Sequence, residues 1–371
     1  MITRSANSRV DVAVVGGGLI GLYVAWRARE RGLSVAVFDA GDEDGVAWPV
    51  AAGMLAPTSE AQFGDAGRRA LELGLAALER WPSAAQELGL ASGLDPQLRD
   101  AGTLVLARDR DEAEALDREL RFREKLGLPV SRLLPSAARR AEPALAPTLR
   151  AALDVPGDHS VDPRRVVAGL RYLVGDALRP GTRVADVAPD AVELESGEQV
   201  PAGRVVVAAG AWSGELAGVP VRPLKGQVLR LRDPGGPGLI SRTLRFAGTY
   251  LVPRGDGRYV LGATMEDRGF DASVTAGGVY ELLRDAGELV PGVTELEIEQ
   301  TVAGFRPATP DNLPLIGDRG DGVVLATGHG RDGVLLAPLT ADLVADLLAG
   351  AAPSPLAALC DPARFGAAVA P

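Results

Sequence analysis

Cysteine is almost absent. Cys360 stands alone in 371 residues, which excludes an intramolecular disulfide, a C-x-x-C redox pair and a cysteine-rich metal site. Histidine is limited to His159 and His329, so a histidine-rich zinc site is not expected. Lysine occurs only as Lys125 and Lys225; arginine supplies the remaining positive charge, and the excess of acids leaves a net charge of −10. Aromatics make up 4% of the chain and interleave with no basic patch, which argues against nucleic acid as a partner. No apolar run reaches the length of a membrane span, and Met1 to Val10 hold no signal-peptide core, so no transmembrane segment and a cytoplasmic location are expected. Internal repeats and low-complexity linkers are also missing.

What remains is an ordinary globular composition, 46% apolar and 24% charged. The length exceeds what one hydrophobic core usually supports, so two domains are expected. The chain is organised around Asp11 to Gly41: an apolar strand from Val12 to Val15, a glycine turn, a helix over Leu22 to Arg31, and a second strand from Ser34 to Phe38 that ends at Asp39. Gly16, Gly18 and Gly21 carry the G-x-G-x-x-G spacing, with Leu19 and Ile20 between the last two. The first glycine permits the tight turn, the second lets backbone approach a pyrophosphate, and the third lets helix pack on strand. The helix N-terminus offers unpaired N–H groups to phosphates, and Asp39 can accept from a ribose hydroxyl. Dinucleotide binding follows.

Further along, Ala51-Ala52-Gly53-Met54-Leu55 is a row of small residues that either forms a tight core turn or leaves space for something flat to lie against backbone, and its place just after a nucleotide fingerprint favours the second. Asp65 is expected to cap a helix carrying Leu71, Leu75 and Leu78, which Pro82 should end. Leu104 to Ala107 reads as a strand, 111–126 as an amphipathic helix closed by Gly127, and 136–141 as one helical turn. Asp162-Pro163 is an N-cap followed by proline at the first helical position, with Val166, Val167, Leu170 and Leu173 as the buried stripe. Arg183 to Val187 and Ala191 to Glu195 read as strands. Val205 to Trp212 is expected to be a fully buried strand of a parallel sheet, with Gly210 near its end. Between Val221 and Gln300 the pattern alternates with period two, in 227–232, 249–253 and 259–262, as in an antiparallel sheet. The nucleotide-domain texture returns at Gly322 to Gly328, followed by a helix over 333–348.

In order along the chain stand the fingerprint at Gly16 to Gly21, A-A-G-M-L at 51–55, P-L-K-G-Q at 223–227, Y-L-V-P-R at 250–254, G-A-T-M-E at 262–266, A-G-F-R-P at 303–307 and G-H-G-R-D-G at 328–333. Together these pieces resemble the FAD-dependent amino-acid oxidase family that includes D-amino-acid oxidase and sarcosine oxidase, and within it the glycine oxidases of thiamine biosynthesis. The resemblance spans essentially the whole chain. It implies an α/β, or two-domain α+β, fold: a Rossmann-like FAD-binding domain with a parallel sheet, assembled from 1–85, 150–220 and 304–371, and an inserted, mostly antiparallel substrate-binding sheet from 86–149 and 221–303.

The resemblance also implies non-covalent FAD, with its pyrophosphate at Gly16, Gly18, Leu19, Ile20 and Gly21 and its ribose at Asp39. The ring would lie beside Ala51, Ala52, Gly53 and Met54, with the adenine at Val184. Gly210 and the loop Gly328, His329, Gly330, Arg331, Asp332 and Gly333 complete the implied cofactor set. The helix that opens there would aim its positive end at the flavin pyrimidine edge. Arg306 matches the family's carboxylate-binding arginine, Tyr250 its carboxylate-binding tyrosine, Arg331 a residue near substrate and flavin, and Met265 a pocket residue beside Cα. His329 reads as a loop residue near the flavin, since hydride transfer from a neutral amine needs no base, and His159 as structural. Usage alone gives Lys225 no role.

The expected reaction is oxidation of glycine or another small amino acid to the imino acid, with O2 reduced to H2O2; the expected assembly is a homo-oligomer. A sarcosine or D-amino-acid oxidase or dehydrogenase is the alternative within the family, and a non-catalytic flavin-binding module the alternative outside it. Two departures from the glycine oxidase pattern bear on the pocket. Ala247-Gly248-Thr249 puts glycine where a histidine can occur, and Pro49-Val50 is bulkier than the usual small pair.

Overall fold

A computed structural model describes residues 9–41 and 44–366; most of the opening stretch read for a leader lies outside them. The expected βαβ unit forms as β1 (Val10–Val15), α1 (Leu19–Glu30) and β2 (Val35–Phe38). β3 (Met54–Leu55) follows, then α2 (Gly64–Ser92), β4 (Thr103–Ala107), α3 (Arg110–Lys125), β5 (Ser131–Leu133), α4 (Pro135–Ala141), β6 (Ala151–Val155) and β7 (His159–Ser160). Next come α5 (Pro163–Val174), β8 (Leu178–Arg179), β9 (Val184–Ala188), β10 (Ala191–Leu194), β11 (Gln199–Val207) and α6 (Ser213–Ala217). β12 (Arg222–Arg232), β13 (Thr243–Phe246), β14 (Thr249–Pro253), β15 (Arg258–Gly262), α7 (Ala276–Leu289) and β16 (Glu297–Ala308) form the alternating region. β17 (Leu315–Asp318), β18 (Val323–Thr327), α8 (Gly333–Leu348) and α9 (Pro355–Ala358) close the chain.

Two eight-stranded sheets result. The first runs β17-β18-β11-β1-β2-β8, with β9 and β10 joined to the edge of β11. Its β18, β11, β1, β2 and β8 are parallel, as continuous apolar runs buried on both faces require. The second runs β16-β12-β15-β14-β13-β4-β6-β5 and is antiparallel except where β13 meets β4. The expected fold class is therefore the observed one. The boundary expected at 150 falls before β6, which pairs with β4 and β5 in the second sheet.

Three expectations are corrected. Pro82 does not end α2, which continues to Ser92. Trp81, Ala84, Ala85 and Leu88 are buried on its far side, and Trp81 Nε1 donates to the Leu335 carbonyl at 2.8 Å, so packing offsets the one hydrogen bond that proline removes. Asp65 is not the cap. Phe63 occupies that position with extended backbone, and exposed Asp65 pairs with Arg68. The strand expected over 205–212 instead begins at Gln199 and stops at Val207, and the chain bends through Gly210 at φ 57° into a short 3-10 turn. Asp162 does cap α5, accepting from Arg164 N–H at 3.0 Å. Among the described residues no helix is long and apolar enough to cross a membrane.

Candidate active site

The glycine turn is shaped by what side chains would hit. A Cβ on Gly16, which sits at φ 111°, would fall 2.4 Å from the Ala208 carbonyl oxygen, and one on Gly21 would fall 1.9 Å from that of Gly16. These two glycines close the turn and seat α1 on the sheet. Gly18 differs: the nearest atom to a Cβ there is 3.8 Å away, and Gly18, Leu19 and Ile20 line a cavity of ≈ 640 Å³. Gly18 is also the N-cap of α1, with no side-chain cap bond, which leaves the first-turn N–H groups to an anion. Asp39 lines the same cavity, where its carboxylate accepts from Gly17 N–H at 2.6 Å and Gly41 N–H at 3.1 Å. It shapes the turn as well as standing where a ribose is expected.

The cavity continues past Val184 and Gly210 to Ala51, Ala52, Gly53 and Met54. This segment is gripped through its carbonyls. Arg230 donates to Pro49 O at 2.6 Å and Arg164 to the same oxygen at 3.0 Å, while Arg254 donates to Ala52 O and Val161 O, both at 2.8 Å. Arg230 and Arg254 are buried, and desolvation lowers the affinity of both guanidiniums for their protons, Arg230 to about 10. Gly53, at φ 77°, lies so close to the Val161 carbonyl that a Cβ would fall 2.0 Å from it.

At the other end, the second sheet presents a floor made by two absent side chains. Gly226 on β12 faces Gly304 on β16, two positions from the pair Leu224 and Arg306, so the Arg306 guanidinium swings over Gly226; a Cβ there would be 2.5 Å from both Nη atoms. Gly262 on β15 faces Tyr250 on β14, and a Cβ on Gly262 would be 2.8 Å from the Tyr250 hydroxyl. The two polar ends thus lean toward each other across the middle of the sheet. Arg306 donates to the carbonyls of Thr264 at 3.2 Å and Lys225 at 3.3 Å, and among the described residues no carboxylate ion-pairs with it. Burial pushes the Tyr250 phenol above its ordinary value against the pull of Arg306, so it stays a donor. A cation held by neutral carbonyls beside a phenol can receive a carboxylate.

Sequence reasoning missed Glu60 and Arg245, which line the cavity with Arg331 and Tyr250. Arg245 stands opposite Tyr250 in register and ion-pairs with Glu60 at 3.3 Å; Arg331 reaches the other Glu60 oxygen at 3.7 Å. Behind them lies Asp158, fully buried, whose carboxyl burial raises to about 6. A second cavity of ≈ 290 Å³ adjoins the first and shares Glu60, Met265, Arg306, Gly330 and Arg331 with it. No spacing in the sequence marks Glu60 or Arg245. The floor glycines stood inside quoted motifs, but only strand register assigns them.

Of the residues expected to form one site, most do converge here. Gly16, Val184, Gly210, His329, Gly330, Arg331 and Gly333 line the large cavity with Tyr250, Met265 and Arg306. Gly21, Gly328 and Asp332 do not. Gly21 packs under Gly16, and Gly328, at φ 73°, packs on Thr309. Asp332 lines the smaller cavity, and burial beside Glu60 raises its carboxyl to about 7. His329 is buried with Nε2 3.0 Å from the Thr340 hydroxyl, and burial lowers it to about 3, so it is a neutral imidazole. Cys360 is buried on the far side of β17, where Ile316 N–H donates to its carbonyl, and burial pushes its thiol up to about 12.

An uncapped helix start, a glycine uncrowded where a Cβ would stand, an acid just past the end of β2 and a long cavity ending at small residues fit a flavin dinucleotide. The chain matches the family model "DAO: FAD dependent oxidoreductase" over residues 11–347. It is 36% identical over 354 residues to the glycine oxidase of Geobacillus kaustophilus, covering 92% of this chain and 93% of that one. It is 35% identical over 360 residues to the bifunctional protein ThiO/ThiG of a Nostoc species, covering 93% of this chain and 54% of that protein. The crystal structure of the Geobacillus kaustophilus glycine oxidase superposes with a TM-score of 0.87 at 35% identity, covering 93% of this chain and 96% of that one. The chain belongs to the DAO family of FAD-dependent oxidoreductases, with FAD as its cofactor and amino-acid oxidation as its class of reaction.

Proposed function

We propose that this chain oxidises glycine, or an equally small primary or secondary α-amino acid, to the imino acid with reduction of O2 to H2O2, in the service of thiazole formation for thiamine. The first sheet holds FAD and the second holds the substrate. Bound FAD supplies the hydride acceptor and passes the electron pair to dioxygen.

The protein's part is orientation. Gly16, Gly18, Leu19 and Ile20 take the pyrophosphate at the start of α1, Asp39 the ribose, Val184 the adenine, and Ala51 to Met54 the ring. Arg306 receives the substrate carboxylate in a two-pronged ion pair, and the Tyr250 hydroxyl donates to the same group. With both oxygens fixed, rotation of the substrate is limited to the C–Cα axis, and Met265 and Arg331 limit its side chain. The positive wall disfavours an ammonium, so the amine binds neutral and no residue need act as base; neutral His329, bonded to Thr340, is not placed to be one. Cys360 is buried and does not line the cavity, so it is not placed to attach the ring.

The observation that carries this reading is the convergence of Arg306 and Tyr250 over Gly226 and Gly262, with no protein carboxylate on Arg306 among the described residues. Gly248 lines the cavity edge with open space around its Cα, which makes room for an N-substituent, so sarcosine belongs in the same test as glycine. The test is anaerobic mixing of the yellow protein with glycine, sarcosine and D-alanine in turn, followed at the flavin band, then readmission of air with a peroxide assay. Bleaching by a small amino acid and peroxide on reoxidation are expected; no bleaching with any of them refutes the proposal.

A further inference from the structure

Residues 263–274 form an irregular strap between β15 and Thr275, the N-cap of α7. Met265 of this strap lines both cavities, and the Thr264 carbonyl accepts from Arg306 at 3.2 Å. Beneath the strap runs Lys225-Gly226-Gln227 of β12. Side chains alternate along a strand, so Gly226 faces Arg306 while Lys225 and Gln227 face the other way. Both are buried, each with 1% exposure.

Gln227 grips both ends of the strap. Its Nε2 donates to Glu266 Oε1 at 2.7 Å and to Thr275 Oγ1 at 3.2 Å, its Oε1 accepts from Thr275 N–H at 2.8 Å, and its N–H donates to Thr264 Oγ1 at 2.9 Å. Lys225 exchanges both backbone hydrogen bonds with Glu266, and its Nζ stands 3.8 Å from Glu266 and 3.6 Å from Asp271, without a closer hydrogen-bond partner. Phe270, next to Asp271, stacks on Trp212 with ring centroids 5.4 Å apart. The strap's other pair, Arg222 with Asp267, is exposed on both sides and holds weakly. A buried cation therefore faces two carboxylates of the segment that positions Arg306.

We propose that Lys225 is a positioning residue for substrate binding: its ammonium holds the strap through Glu266 and Asp271, and the strap holds Arg306 and Met265 in place. A buried lysine with no second purpose would be replaceable by an apolar side chain of similar length at little cost. One whose charge fixes the strap is not. The inference rests on the reading of Arg306 as the carboxylate anchor.

Lys225→Met, which keeps the stem, and the double variant Glu266→Gln with Asp271→Asn, which acts from the strap side should the first fail to fold, test it in the FAD-loaded protein. Acetate, a carboxylate with no amine to oxidise, is titrated against the flavin spectrum, and tryptic cleavage after exposed Arg268 reports the strap without any ligand. The expected result is about ten-fold or larger increases in acetate Kd and glycine KM, faster cleavage at Arg268, and flavin reduction at saturating glycine within about three-fold of wild type. An acetate Kd within about two-fold of wild type in a folded variant overturns the proposal, as does unaltered cleavage at Arg268. If the wild-type protein neither bound acetate nor was bleached by an amino acid, the proposed function would fail instead, and the cleavage rates would still decide whether Lys225 holds the strap.

Discussion

A guanidinium lying on a glycine leaves no room for a methyl group. Gly226→Ala would place a carbon 2.5 Å from both Arg306 Nη atoms, so the guanidinium must move while the cavity around the nucleotide end is untouched. The expected outcome is a loss of kcat/KM for glycine of about a hundred-fold, about 3 kcal/mol, with the flavin still bound and its spectrum unchanged. Arg306→Ala should cost at least as much, through KM first, measured by steady-state kinetics. His329 makes the opposite kind of prediction. Its folded value near 3 lies below the ordinary 6.5, so the unfolded chain binds the extra proton and stability falls as pH drops from 6.5 toward 3. Denaturant melts across that range should give a steeper slope for wild type than for His329→Gln. Arg306 and Tyr250 were legible because each sits in a contiguous motif. Glu60 and Arg245 were not, since they meet only when the turn before α2 folds onto β13, and nothing in the residues around them encodes that meeting.

Local signals decided most element boundaries. The Asp162-Pro163 start and the stripe after it gave α5, and removing the cap by Asp162→Ala should cost about 1 kcal/mol, read as a lowered melting temperature with unaltered flavin absorbance. Failures came where packing overrode a local preference. Pro82 sits inside a 29-residue helix that buries Trp81, Ala84, Ala85 and Leu88 around and beyond it. Pro82→Ala restores an N–H to that helix and should leave thermal stability unchanged or raised, as calorimetry would report. β11 shows the same limit. Its first four residues, 199–202, alternate exposed and buried, with 199–201 paired to β10, and only its last three residues are the fully buried strand that the apolar run announced. The helix α7 carries a cap at Thr275 and buries Leu282, Ala286 and Leu289 at helical spacing, a signal that reading 221–300 as alternating strands passed over.

The two large sheets hold the larger cavity between them, and the cofactor belongs to the folded state alone. Adding FAD to the apoprotein at about a hundred times its Kd should therefore raise stability by about 2.7 kcal/mol, seen as a shift in melting temperature that grows with FAD concentration. Buried Cys360 should resist thiol reagents until the protein unfolds, and acid precipitation should release all flavin into the supernatant. The three arginines that grip residues 49–53 act on main-chain oxygens and ignore the side chains that hang from them. Pro49 and Val50 can thus be bulkier than the usual small pair without redirecting the backbone, although Val50 is itself packed against Val228, Val252 and Val260, so the path of the segment is set by Arg230, Arg254 and Arg164, which stand far from it in the chain.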